Sequence, residues 1–189
     1  MPEGGRVIAG TARGIRLEGA PAATRPLSDR VKESLFGALE TEGALSDGFL
    51  DLFAGTGAAG IEALSRGATS ATFVEHDSKV SAVIEANLKR AHLSGGRVVR
   101  NDVLRFLSTG RPEQLMPYRA AIADPPYDTP LIVPTLELLG NRQLGWMADA
   151  AVVVAKHFWR DTPVERIGSL ALERQRRFGE TMLTFYRQT

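Results

Sequence analysis

An apolar pentapeptide, Phe49-Leu-Asp-Leu-Phe53, runs straight into Ala54-Gly55-Thr-Gly57-Ala-Ala-Gly60, and few backbones accept that order. A short apolar run bounded by glycines reads as a buried strand, and Gly-x-Gly-x-x-Gly reads as a tight turn that opens a helix. Strand, glycine turn and helix together form the first unit of a parallel sheet. The alternation continues. The pattern predicts a strand over 49–53, a helix over 57–66 stopped by Gly67, a strand over 70–75 and a helix over 78–91 with the stripe Val80, Ile84, Leu88, Ala91. A strand at 97–100, a short helix at 103–108, a strand at 119–123, a helix at 130–139 and the apolar run Ala150-Ala-Val-Val-Val-Ala155 complete it. Strands apolar on both faces require cover on both faces, so a doubly wound α/β domain is expected.

The C-terminal segment departs from that rhythm. Residues 170–177 and 181–187 are joined only by Phe178-Gly-Glu180, which leaves no room for a crossover helix and predicts an antiparallel hairpin. A mostly parallel sheet finished by such a hairpin resembles the Rossmann-like fold of S-adenosylmethionine-dependent methyltransferases.

Before this body, residues 6–17 read as a small hairpin, followed by a Pro- and Ala-rich loop to Pro26. Ser28 can cap a helix whose stripe is Val31, Leu35, Ala38, Leu39, with Arg30 and Lys32 off the stripe. The expected division is an extension over 1–45 and a catalytic domain over 46–189. Charge follows a similar division. Residues 1–32 carry six Lys/Arg against three Asp/Glu, residues 33–156 eleven against fifteen, and residues 157–189 six against four. Basic ends on an acidic body suit a polyanionic partner held through the ends.

Composition excludes several classes. No segment approaches the ~20 apolar residues of a membrane helix. With no cysteine there is no disulfide, thiolate metal site or cysteine nucleophile, and His76, His92 and His157 lack ligand spacing, so metal catalysis is not expected. The N-terminus shows neither a signal core nor a transit-type helix, so a cytoplasmic protein is expected. No exposed heptad is visible, so a monomer is expected.

The glycine turn alone would also fit a nicotinamide dinucleotide. Asp51, a carboxylate inside the apolar run, shifts the reading, because it repels pyrophosphate and attracts the ammonium of a methionine moiety. Glu75 closes the next strand, where a carboxylate can accept from ribose hydroxyls, and Asp102 follows the third strand, placed for an adenine amino group. Phe53, Gly55, Gly57, His76 and Val103 complete the expected cofactor pocket. Asp77 or Ser78 can cap the following helix. For Glu75 and Asp102 the plainer alternative is a helix cap or an exposed carboxylate.

About seventy residues further on lies Asp124-Pro125-Pro126-Tyr127. An exocyclic nucleobase amine is a poor nucleophile because its lone pair is delocalised into the ring. Asp124 and the Pro125 carbonyl can accept both amine hydrogens and turn the lone pair toward a sulfonium methyl. Pro125 and Pro126 stiffen the turn and remove competing donors, and Tyr127 offers a face for stacking. Transfer is then an in-line displacement that needs no metal and no covalent enzyme intermediate.

The whole chain resembles the bacterial small-subunit ribosomal RNA guanine-N2 methyltransferases of the RsmD type. The resemblance rests on Arg6-Val-Ile-Ala-Gly10, Arg13-Gly14, Arg25-Pro-Leu-Ser-Asp29-Arg30-Val-Lys-Glu-Ser-Leu-Phe36 and the glycine turn. Gly60-Ile-Glu-Ala-Leu-Ser-Arg-Gly67-Ala, Phe73-Val-Glu75 and Asp124-Pro-Pro-Tyr127 extend it. It implies S-adenosylmethionine as donor and the 2-amino group of a guanine in 16S rRNA as acceptor, on an assembling small subunit. It also implies that the hairpin and the segment from Arg25 to Lys32 grip RNA, with Arg6, Arg13, Arg16, Arg25, Arg30 and Lys32 as candidate contacts. The chain departs from the family pattern at Leu27, at Lys32 and at Ala155-Lys156, where an acidic residue often follows the fifth strand.

Three rivals remain. An adenine-N6 or cytosine-N4 DNA methyltransferase would use the same tetrapeptide but needs a target-recognition domain. A nicotinamide oxidoreductase leaves Asp51 and the Pro-Pro turn unexplained. A non-catalytic ribosome-assembly protein would be expected to show an eroded cofactor loop.

Overall fold

Apolar residues on successive strands alternate between two cores, and this alternation sets the layers. The computed structural model describes residues 3–20, 27–127 and 129–189. Along the chain come β1 (Glu3–Arg6), β2 (Arg16–Glu18), α1 (Asp29–Thr41), β3 (Gly48–Leu52), α2 (Ala58–Ser65), β4 (Ser70–Glu75), α3 (Ser78–Arg90) and β5 (Gly96–Arg100). They are followed by α4 (Val103–Ser108), β6 (Tyr118–Ala123), α5 (Ile132–Leu139), β7 (Met147–Phe158), β8 (Arg166–Ile167), β9 (Leu170–Phe178) and β10 (Thr181–Gln188). Eight strands form one sheet in the order β5-β4-β3-β6-β7-β10-β9-β8. The pairs β5/β4, β4/β3, β3/β6 and β6/β7 are parallel, while β10 lies antiparallel to both β7 and β9.

Phe49, Phe73, Ile122, Val152 and Val154 face one core, shared with α1, α2, α3 and the β1/β2 hairpin. Leu50, Leu52, Val74, Val153 and Tyr186 face the other, closed by α4, α5 and Trp146. The expected Rossmann-like methyltransferase fold, with its antiparallel C-terminal hairpin, is the one observed. Two short elements were not foreseen, the two-residue β8 and a 3-10 turn over Arg142–Leu144. β7 also extends well past the expected 150–155, because it pairs with β6 on one side and β10 on the other.

Capping follows the sequence signals. Ser28 Oγ accepts from the Val31 amide, and Asp77 Oδ1 accepts from the Lys79 and Val80 amides to start α3. The hairpin is fastened to α2 by polar contacts. The buried Glu62 accepts from the amides of Ile8 (2.8 Å) and Ala9 (3.0 Å), and Ser65 Oγ accepts from Ala12 N while donating to Ala9 O. Gly10 permits this approach: at φ 81°, a Cβ there would lie 1.8 Å from the Ser65 carbonyl oxygen. On the other strand, the Asn87 side chain of α3 joins β2 to the glycine turn, accepting from Glu18 N and donating to Glu18 O and Thr56 O.

Candidate active site

Strand order reverses between β3 and β6, and in open α/β sheets the crevice at such a switch point, at the carboxyl ends of the strands, is where ligands bind. Both sequence motifs end there. Leu52 is in register with Ala123, and the Asp124 amide donates to the Leu52 carbonyl, so the glycine turn and the Asp-Pro-Pro-Tyr turn emerge side by side.

Three carboxylates converge on this crevice. Asp51 is 2% exposed and its Oδ2 accepts from the Gly60 amide at 2.8 Å. Burial holds its pKa well above the usual carboxylate range against that hydrogen bond, and the charges of Asp124 and Glu75 push it the same way. Glu75 Oε2 accepts from Gly55 N at 3.0 Å and Oε1 from Asp77 N at 2.9 Å, with His76 Nδ1 3.0 Å from Oε1. The amide of Gly57 donates to the Ala54 carbonyl. All three glycine amides of the turn are therefore engaged within the protein, two of them by carboxylates. A pyrophosphate needs those amides free and would meet three carboxyl groups. A cationic ligand meets the opposite situation.

The backbone explains the residue types. Phe53 (φ 59°), Gly55 (φ 54°) and Gly57 (φ 79°) all adopt the left-handed region, unusual for a phenylalanine and a form of strain that recurs at ligand sites. A Cβ on Gly60 would meet the Phe73 ring at 2.2 Å, so this glycine lets α2 pack on β4. Asp102 is exposed and caps α4, its Oδ1 accepting from Arg105 N, while Val103 is buried behind it.

Beside the crevice, Asp124 Oδ1 accepts from Lys156 Nζ at 2.5 Å, and the same ammonium lies 4.7 Å from the centre of the Tyr127 ring. The register Ala123 with Ala155 places these two residues next to each other at the ends of β6 and β7. Burial raises the pKa of Asp124, while Lys156 opposes that rise by its charge and its hydrogen bond. Lys156 in turn is held above its usual range, with Asp124 and Tyr127 outweighing its own burial. Tyr127 is anchored through its hydroxyl, 2.9 Å from Thr181 Oγ1, and its ring stays 45% exposed. Behind the turn lies a cavity of about 290 Å³, lined by Pro126, Tyr127, Ile132, Lys156, His157 and Val164 among others.

The basic candidates are scattered. Arg6 is exposed and paired with Asp29, and Arg13 and Arg16 are exposed. Arg30 is exposed, with its guanidinium 5.9 Å from the Phe178 ring centre, and Arg25 lies outside the described residues. Lys32 requires a correction. It is fully buried, donates to the Arg6 carbonyl and lies 3.9 Å from Asp29, so it braces the hairpin against α1 and presents no charge to a partner. Burial pulls its pKa down, opposed by Glu62 and Asp29. Sequence reasoning did not assign Glu62, Ser65 or Asn87, which dock the hairpin, or give Lys156 its place beside Asp124.

Sheet order, switch-point crevice, internally engaged glycine turn and Asp-Pro-Pro-Tyr together define the class, a Rossmann-like methyltransferase. Within that class the chain belongs to the family described as Conserved hypothetical protein 95, whose model matches residues 5–187, and is of the RsmD type. It is 35% identical over 187 residues to the "Putative rRNA methyltransferase YlbH" of Bacillus subtilis, covering 97% of this chain and 98% of that protein. It is 37% identical over 149 residues to the Ribosomal RNA small subunit methyltransferase D of Escherichia coli K12, covering 78% of this chain and 72% of that protein. Among solved structures it is similar to the "Putative methyltransferase yhhF" of Escherichia coli, with a TM-score of 0.83, 33% identity and 97% of both chains covered.

Proposed function

We propose that this protein transfers a methyl group from S-adenosylmethionine to the exocyclic N2 amine of a guanine in 16S rRNA, during assembly of the small subunit. The observation that carries the donor assignment is the convergence of Asp51, Glu75 and Asp124 on one crevice whose glycine amides are already engaged. That arrangement disfavours a dinucleotide and suits a sulfonium bearing a primary ammonium. In this reading Asp51 receives the ammonium, Glu75 the ribose hydroxyls and Asp102 the adenine amino group, with Phe53, Gly55, Gly57, His76 and Val103 shaping the pocket.

Bound S-adenosylmethionine supplies an electrophilic methyl carbon whose bonding pair returns to sulfur as the new N–C bond forms. The chain's own residues prepare the nucleophile. Lys156 occupies one oxygen of Asp124 and counters the effect of burial, favouring the ionised form that accepts hydrogen bonds. The other oxygen and the Pro125 carbonyl then accept the two amine hydrogens, and as the N–C bond forms the proton held by Asp124 passes from nitrogen to that carboxylate. Tyr127, fixed by Thr181, stacks on the base, and Pro126 keeps the turn from relaxing. An amine inside intact helix cannot reach Asp124, so the base must be turned out, which costs least in a loop.

The rRNA assignment is supported by kinship with proteins named as small-subunit rRNA methyltransferases and by the basic ends of the chain. Its test is a methyl-transfer assay offering unmodified 16S rRNA, small subunits lacking the modification, and duplex DNA. Label on an rRNA guanine N2 is expected. Label confined to DNA would overturn the substrate, and Asp124→Ala turning over undiminished would overturn the assigned chemistry.

A further inference from the structure

We infer that the tip of the C-terminal hairpin, rather than the N-terminal extension alone, forms an RNA-contacting surface beside the active site, built on Trp159 with Arg160, Arg177, Arg176 and Arg30. The inference rests on the rRNA reading above and adds where the strand flanking the target lies. Topology gives the location. β7 runs parallel to β6, so its end at Phe158 and the following Trp159 sit on the sheet edge that carries Asp124. β10 begins at the same edge, where Thr181 pairs with Phe158 and Phe178 and holds the Tyr127 hydroxyl. The turn of the hairpin is thus one hydrogen bond away from the residue proposed to stack on the target base.

Chemistry gives the occupant. The Arg177 guanidinium lies 3.7 Å from the Trp159 ring centre and that of Arg160 5.0 Å from it, while Arg30 lies over Phe178. Such contacts order a guanidinium without neutralising it. Arg177 directs only its Nε–H to a protein acceptor, the Gly179 carbonyl, and Arg176 reaches the Ser34 hydroxyl of α1. Among the described residues none of these four arginines is ion-paired, whereas Arg66, Arg90, Arg142, Arg174 and Arg187 all hold carboxylates. Ordered, unneutralised guanidiniums interleaved with aromatic rings are what a single-stranded polynucleotide uses, phosphates on the charges and bases on the planar groups. Glu180 is the sole acidic residue between 176 and 181.

The test compares wild type with Trp159→Ala and with the double variant Arg160→Glu, Arg177→Glu. Fluorescence anisotropy of a labelled, unmodified single-stranded 16S rRNA fragment reports binding. Methyl transfer to the same RNA and calorimetric binding of S-adenosylmethionine are measured beside it. Each variant is expected to weaken RNA binding about tenfold or more, since one stack or two phosphate contacts are removed, with donor binding and melting temperature unchanged. The double variant should also flatten the slope of log K against log salt by about 1.4, the value for two contacts on single-stranded RNA. KM for RNA should rise with kcat at saturation largely retained. Variants that bind RNA as wild type does, with the same salt slope, would overturn the surface. Wild type that binds RNA through this tip yet methylates none of it would instead sink the rRNA methyl-transfer reading and leave the surface standing.

Discussion

Replacing Asp51 by asparagine separates charge from shape at the centre of the crevice. Asparagine keeps an acceptor for the Gly60 amide and nearly the same volume, and replaces the ionisable oxygen by an amide that cannot become negative. Two opposite effects follow. In the free protein the carboxylate is buried, has a single hydrogen bond from the backbone and faces Asp124 and Glu75, so its ionised form is disfavoured by folding. A carboxylate whose folded pKa is raised stabilises the protein fully only below its unfolded value, and that contribution is lost as pH rises through the folded value. Asp51→Asn does not titrate, so its melting temperature should exceed that of wild type by a margin that widens from about pH 4 upward and then levels off. Donor binding should move the other way. A hydrogen bond to a charged group is worth roughly 1.5–3 kcal/mol, and about 1.4 kcal/mol corresponds to tenfold in affinity, so Kd should rise about 10- to 100-fold. Titration calorimetry with S-adenosylmethionine and with S-adenosylhomocysteine should show equal losses, because both carry the same ammonium. Unchanged Kd in a variant whose thermal stability has risen would refute the role of Asp51.

Other expectations follow from the same geometry. Lys156→Met removes the group that opposes the burial of Asp124, so the carboxylate protonates at higher pH and the acid limb of the kcat/KM profile should shift upward, with partial recovery in Lys156→Arg; an unmoved limb would dissociate Lys156 from the reaction. Glu62→Ala strips acceptors from two amides and from Arg66, a loss of about 3–5 kcal/mol by comparison with broken buried pairs, and thermal melts should fall by roughly 6–20 °C. Tyr127→Ala should raise KM for RNA by an amount matching one base stack, about 1–3 kcal/mol, whereas Tyr127→Phe, which keeps the ring and loses only the hydroxyl with its contacts to Thr181 and Lys156, should stay near wild type; equal losses in both would point to positioning of the turn instead.

Much of the architecture was legible because each element carried a local signal. Ser28 and Asp77 marked helix starts, Gly67 a helix end, and the run 150–155 the core of a strand paired on both sides. The ends of β7 were invisible because they are stabilised by partners, not by composition, and β8 is too short to show alternation. Lys32 was misplaced for a related reason. An apolar stripe sorts residues by hydropathy, yet this lysine is satisfied inside by the Arg6 carbonyl and Asp29, contacts 26 and 3 residues away. The Asp124-Lys156 pair, by contrast, could have been found. Once β6 and β7 are adjacent and parallel, the residues following Ala123 and Ala155 must be neighbours. Engagement of the glycine amides by Asp51 and Glu75 left no trace in the sequence, because it depends on how the turn is coiled.

The most direct test of the account is to incubate the protein with methyl-labelled S-adenosylmethionine and unmodified small-subunit RNA, digest the product, and identify the labelled nucleoside by mass. N2-methylguanosine at a single looped position, absent when Asp124 is alanine, is the expected result. Label on another atom or another base, or none under conditions where the donor binds, would contradict it.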